Sequence, residues 1–537
     1  MRKIITSLAT LVVLFTVPDA VQGQGFSGTT PARPRLVVSI VVSGISADRL
    51  ASFGAGLSGE GFARFAASGV DFRSARYRYM QTLSPAGLAT ITTGVNPSMH
   101  GVVAESWIDY VTGGRVSLID DPEARGVGGD AGSEDYGPAH VVMPTLGDRL
   151  LSTSPGSRVV SIAVDPVSAV VTAGQSGMAW WMDSQRAVWV SSTAYTERLP
   201  DWLAVYNTER PAKQYIETGW TPARPVRSYI NAANTIFGGQ GGGSRVLSFL
   251  QGSTPDYGAM LRSPVGNTLV ADFACRVVVG ERLGADDATD LLNICFDASR
   301  HVGERFCSAS MEVEDMIYRL DIDIGVMVRE IEAQVGGPEN VLFVLTSDSG
   351  MSDVGSTRDN FNVAQFKTIL NSFLGVQFGS GEWVLDYIDR QVYLNRNLIY
   401  QLGLNLEDVQ NRAAAFVLQF RGVSHILTST ALAGGYFGSG WGEMMQNGFY
   451  PRRAGDLILN LMPGWIEQRI GVRNLAGSMY DYDTHVPLVV WGWRVPAGAT
   501  IDRNVDMTSL ATTLARIMDV GRLTASDAEL LPIIDNL

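Results

Sequence analysis

The feature that most constrains this chain is the run Val341–Gly350, VLFVLTSDSG, in which five apolar residues lead straight into Thr346, Ser347, Asp348, Ser349 and Gly350. An unbroken apolar run closed by turn residues reads as a strand buried on both faces of a parallel sheet. Ligands of open α/β sheets sit at the carboxyl ends of such strands, so Asp348 is predicted to project into a crevice. The preceding stretch, Val313–Gln334, has helical character and few breakers, which predicts helix-then-strand order. Arg35–Ser43, Arg158–Val164, Leu291–Ser299 and Val486–Trp491 are further strand candidates, the third leading to a tip at Arg300. The predicted fold class is therefore α/β: a central, mostly parallel sheet flanked by helices on both faces. Residues 34–537 form the domain, and the loop-rich segments at about 195–285 and 370–475 are read as insertions that build a cap.

A chain of 537 residues can bury a large core. Its formal net charge of −13 argues against a nucleic-acid or anionic-membrane partner, because phosphate backbones need a basic surface. Met1, Arg2 and Lys3 followed by the apolar run Ile4–Val17 and small residues read as a signal peptide over residues 1–23. No stretch is long enough for a membrane span, so the mature protein is expected in a periplasm or outside the cell. An oxidising compartment would permit one disulfide among Cys275, Cys295 and Cys307, and spacing does not choose the pair.

Ser84 lies in Gln81–Gly94, a turn that runs into a small-residue helix, where a hydroxyl can meet an anion or satisfy backbone N–H groups as a cap. The Trp-rich stretch Ala179–Trp189 could stack a ring, although such aromatics more often pack between layers. Asp481 and Asp483 read as a solvated loop.

The order of these tips resembles the alkaline phosphatase superfamily, nearest the exported PafA-like phosphatases and the type I phosphodiesterases. The resemblance rests on Leu36-Val37-Val38 entering a tip, Thr93-Gly94, Pro97-Ser98-Met99-His100-Gly101, Glu312-Val313-Glu314-Asp315 with Arg319-Leu320-Asp321, and Tyr482-Asp483-Thr484-His485-Val486-Pro487-Leu488. It implies a fold with two zinc ions and a phospho-enzyme formed on a Thr or Ser, in which the metals activate the hydroxyl and the leaving oxygen.

Several of the implied positions are changed here. The nucleophile position falls on Ser84, and the metal ligands retained are Asp348 and His485. Ligand positions fall on Ser43, Arg300, Glu304 and Ser349, and a phosphate contact falls on Glu105. A more weakly supported match puts Asp165 and Val167 where the family grips substrate. A gapped match would instead supply Asp297 and His301 as ligands, and that choice stays open. One strong donor per ion does not hold zinc, and Arg300 would add a fixed positive charge, pairing with Asp348 or Glu304. No cofactor is therefore expected, although zinc serves the resembling family. The expectation is an exported, catalytically inactive pseudophosphatase that binds a small ligand or a protein. The alternatives are a phosphoester hydrolase using Ser84 with a non-standard metal site, and another hydrolase using Glu304, Asp348 or Glu105 as acid and base.

Overall fold

The computed structural model describes residues 31–129, 134–235, 237, 246–352, 360–523 and 525–533. The expected signal peptide and the glycine run at 238–243 lie outside the described residues.

The strand Leu36–Val42 is central and buried along its whole length. It pairs in parallel with Val341–Thr346 on one side and Asp290–Phe296 on the other. Val159–Ala163 and then Met178–Met182 extend the parallel ladder beyond Asp290–Phe296. Beyond Val341–Thr346 the direction reverses: Leu488–Gly492 runs antiparallel, with Thr346 opposite Leu488. The complete sheet has ten strands among the described residues. It is the α/β architecture that the apolar runs predict, with antiparallel strands added towards both edges.

The pleat explains why these runs are apolar without alternation. Leu36, Val38, Ile40 and Val42 face one core together with Phe273, Ile324 and Val328, whereas Val37 and Val41 face a second core with Leu88, Val170 and Leu514. Side chains of successive residues point to opposite faces, so a strand covered on both sides must be apolar throughout. The first face is covered by the helices Pro264–Gly280 and Met311–Gln334. The second is covered by Ser84–Thr93, Pro166–Ala173 and Ser509–Ile517.

Acidic residues of the Met311–Gln334 helix tie loops to this frame. Glu314 accepts the backbone N–H groups of Ile230 and Asn231, and Asp315 accepts those of Ala223 and the Trp220 indole. Asp321 accepts the N–H groups of Ser58 and Phe62. These buried carboxylates are stable because each has several donors. The Glu312–Asp321 motif is thus a loop clamp.

Apolar residues of 195–285 join the main core, among them Leu203, Tyr206, Trp220 and Phe249. By contrast, 370–475 carries its own four-stranded sheet, in the order Val384–Ile388, Gln391–Leu394, Leu457–Leu461, Val423–Thr428, and its own apolar cluster. Trp180, Trp181 and Trp189 are fully buried, and Trp189 stacks on Phe273 with centroids 3.8 Å apart. The Trp-rich stretch is core packing. All three cysteines are buried free thiols, so the disulfide permitted by the sequence is not made. No helix among the described residues is long and apolar enough to cross a membrane.

Candidate functional site

Four neighbouring parallel strands deliver their tips to one end of the sheet. Val341–Thr346 delivers Asp348, Leu36–Val42 delivers Ser43, Asp290–Phe296 delivers Asp297, and Val159–Ala163 delivers Asp165. The tip after Asp290–Phe296 is Asp297 rather than Arg300, because the chain turns at once into the helix Ala298–Phe306, which carries Arg300, His301 and Glu304.

The first half of the site centres on Asp348, which is wholly buried. Its Oδ2 accepts the Ser84 hydroxyl in a short hydrogen bond and the Ser43 hydroxyl at 2.6 Å. Its Oδ1 accepts the Gly44 N–H at 3.0 Å, with the Ser349 hydroxyl at 3.4 Å. The carboxylate thus spends its lone pairs on donors from its own neighbourhood. Ser84 is the first residue of the Ser84–Thr93 helix, and Leu83 is the cap. The Ser84 hydroxyl goes to Asp348 and does not serve as the cap that the sequence allowed. A glycine at position 87 is what lets this helix approach so closely, since a Cβ there would stand 1.8 Å from the Asp348 carbonyl oxygen.

The second half is an ion-pair cluster. Arg300 Nη2 lies 2.6 Å from Asp165 Oδ2, and its Nη1 lies 3.4 Å from Glu304 Oε1. His301 stands 3.2 Å from Asp165 and 3.8 Å from Glu304. Arg300 therefore pairs with Asp165 and Glu304, and not with Asp348. The literal pair Asp297 and His301 is split between different partners. Whereas His301 faces Asp165 and Glu304, Asp297 accepts the Ser168 hydroxyl at 2.6 Å and the Asp165 N–H at 3.0 Å. Burial, with the Asp165 charge, pushes the Asp297 carboxyl up to about 7. Burial would raise Asp165 as well, but the His301 hydrogen bond and Arg300 outweigh it and hold that carboxyl below its ordinary value. Burial and the Arg300 charge would lower His301, yet its bonds to Asp165 and Glu304 overcome them and raise it.

Between these halves and residues of the 370–475 segment lies a cavity of about 240 Å³. Ser84, Glu105, Arg300 and Glu304 line it from the sheet side, and Asp389, Arg390, Glu467 and Arg469 line it from the 370–475 segment. Asp389 and Arg390 are the two loop residues of the hairpin joining Val384–Ile388 to Gln391–Leu394. Both are left-handed, with φ of 47° and 65°. Two-residue hairpins of this form favour Asn-Gly, so non-glycine residues here hold a strained backbone that aims both side chains at the cavity. Arg469 pairs with Asp389 and, at 2.7 Å, with Glu467. The backbone N–H groups of Arg473 and Asn474 close the rim by bonding the Glu304 carbonyl at 2.6 and 3.1 Å. Glu105 is open to the cavity and has no hydrogen bond to its carboxylate among the described residues. Even so, the surrounding protein raises its pKa against the pull of Arg300, aided by Asp165, Asp389 and Glu304.

A family model for type I phosphodiesterase / nucleotide pyrophosphatase matches residues 37–470, which include the four parallel strands that deliver the tips, the tips themselves and most of 370–475. The chain belongs to that family. A protein named calcium-transporting ATPase from Myroides odoratus is 28% identical over 507 residues, covering 91% of this chain and 92% of its own. Alkaline phosphatase PafA from Elizabethkingia meningoseptica is 26% identical over 503 residues, with 91% and 92% covered. The crystal structure of wild-type alkaline phosphatase PafA superposes with a TM-score of 0.85 over 93% of this chain and 98% of that one, at 25% identity.

Of the positions that the sequence assigns to this phosphodiesterase family's site, Ser84, Asp348, Ser43 and Ser349 converge, as do Arg300, Glu304 and Glu105 around the cavity. His485 does not join them. Its Nε2 meets the Arg73 carbonyl at 2.8 Å and its Nδ1 lies 3.6 Å from Asp48, because the residue has entered a strand pairing antiparallel to Arg76. Ala476 and Gly477 line the cavity wall from the preceding loop. Asp483, expected in a solvated loop, is wholly buried and accepts the Ser478 N–H and hydroxyl. No group of three or more His, Cys, Asp or Glu side chains arranged to hold a metal occurs among the described residues. Sequence reasoning missed Asp389, Arg390, Glu467 and Arg469: the Asp-Arg hairpin lacks the Gly or Asn that marks such turns.

Proposed function

We propose that this family member binds a small ligand in the strand-tip cavity and does not hydrolyse phosphate esters by two-zinc chemistry. The observation that carries this reading is the set of partners around Asp348, whose oxygens are taken up by Ser84, Ser43 and Gly44. A zinc site needs about three strong protein donors, and the groups beside Asp348 are neutral hydroxyls that are poor ligands. In the other half, Arg300 supplies a permanent cation already paired with Asp165 and Glu304. The residues present do not fit a pair of zinc ions. Without a metal or an imidazole base against it, the Ser84 hydroxyl stays protonated and donates to Asp348. The signal-like segment at 1–23 adds that the protein acts after export.

One observation favours a second reading, a hydrolase that uses Ser84: this hydroxyl sits at a helix start, lines the cavity and is hydrogen-bonded to a carboxylate. Hydrolysis of p-nitrophenyl phosphate and bis-p-nitrophenyl phosphate, with and without added zinc or magnesium, separates the two when wild type is compared with Ser84→Ala. The binding reading predicts no turnover above that of the variant. Turnover abolished by this one substitution would establish the second reading.

A further inference from the structure

Two charges on the cavity wall are left without an ion-pair partner among the described residues. Arg300 is committed to Asp165 and Glu304, and Arg469 to Asp389 and Glu467. What remains is one cation, Arg390, and one anion, Glu105.

Arg390 is only 4% exposed, and its Nη1 is buried with no hydrogen-bond partner among the described residues. Its guanidinium lies against Gly477 on the cavity wall, where a Cβ would stand 2.9 Å from Nη1. Asp483 feels its charge, yet Arg390 forms no ion pair with it. A guanidinium this deep is costly unless an anion meets it, and its planar fork suits the two oxygens of a carboxylate or phosphonate.

Glu105 is the complement. Its carboxylate reaches the cavity without a hydrogen bond, and Asp389 and Glu304 add negative potential around it. A phosphate dianion there would be repelled, whereas an ammonium would be held. The cavity, at about 240 Å³, is smaller than those that take drug-sized molecules, which sets the ligand near the size of an amino acid.

We propose that the cavity takes a small zwitterion, its oxyanion received by Arg390 and its ammonium by Glu105. The proposal rests on reading the cavity as a binding site, and names the class of ligand.

Isothermal titration calorimetry on the full-length protein tests it. The zwitterionic probes are 2-aminoethylphosphonate and β-alanine, which differ in the oxyanion; the single-charge probes are methylphosphonate, acetate and ethanolamine. At least one zwitterion is expected to bind tighter than every single-charge probe by about tenfold or more, and its oxyanion then identifies the source. Glu105→Gln and Arg390→Gln are each expected to weaken that binding by about tenfold or more. Glu105→Gln decides the matter should Arg390→Gln fail to fold, since Glu105 supports no other side chain; thermal melting verifies the fold of both. No heat with either zwitterion would overturn the proposal, as would methylphosphonate binding equally to wild type and Glu105→Gln, the mark of a plain anion site. None of these probes contains a phosphoester, so the outcome is independent of ester turnover, which bears on the non-hydrolytic reading alone.

Discussion

Arg300 and Asp165, 135 positions apart in sequence, meet at 2.6 Å, the first from the helix that follows Asp290–Phe296 and the second from the tip of the adjacent strand Val159–Ala163. Their pairing joins the helix after Asp290–Phe296 to the start of the Pro166–Ala173 helix, and His301 and Glu304 complete the network. An arginine here supplies the positive charge that keeps several carboxylates compatible with burial.

Removing that arginine should therefore be expensive. Arg300→Ala leaves Asp165 and Glu304 facing each other with only His301 between them. Because the side chains keep some solvent contact, the loss is expected near the lower end for buried pairs, about 2–3 kcal/mol. Urea denaturation of both proteins reads it directly, and an unchanged midpoint would show that the network contributes nothing.

Asp297 makes stability depend on pH in a defined direction. Its carboxyl is raised from 3.8 to about 7 in the folded protein, so between these values the folded state holds a proton that the unfolded chain has released. Stability from this group is present below the unfolded value and is lost as pH rises through about 7. Asp290 and Asp483, each raised by burial to about 6, act with the same sign. Asp297→Asn is expected to flatten the fall in melting temperature between about pH 5 and pH 8. Melting curves across that range check it, and an unchanged slope would assign the dependence to other groups.

Much of this architecture is legible in the sequence because strands covered on both faces must be apolar at every position, which makes runs such as Val341–Leu345 hard to mistake. Strand direction is not written in such runs: Leu488–Gly492 reads like its parallel neighbours, yet lies antiparallel to Val341–Thr346. The positions of Ser84, Asp348 and Ser43 at tips could be read because each follows a strand or opens a helix. His485 could not be placed, since one residue's register decides which way a strand-end side chain turns, and here it meets the Arg73 carbonyl. The wall from Asp389 to Arg469 was hidden, because tertiary packing that no local pattern announces brings this segment over the tips.

The assignment of Ser43 and Ser349 to former ligand positions can be tested by restoring donors. Both hydroxyls already reach the Asp348 carboxylate, so Ser43→Asp with Ser349→His would place two carboxylates and an imidazole together. Three such donors suit one zinc ion. The double variant is expected to retain about one zinc per chain after dialysis, against none in wild type, as read by a colorimetric zinc assay. No gain would mean that these tips do not converge as their hydrogen bonds indicate.

The central claim is that Asp348 and its neighbours lack the donors for paired divalent ions. Elemental analysis of the wild-type protein, purified in the presence of zinc and freed of loosely held metal by gel filtration, tests this most directly. Well under one zinc per chain is the predicted result. About two per chain, the complement of two-metal phosphoryl chemistry, would contradict it.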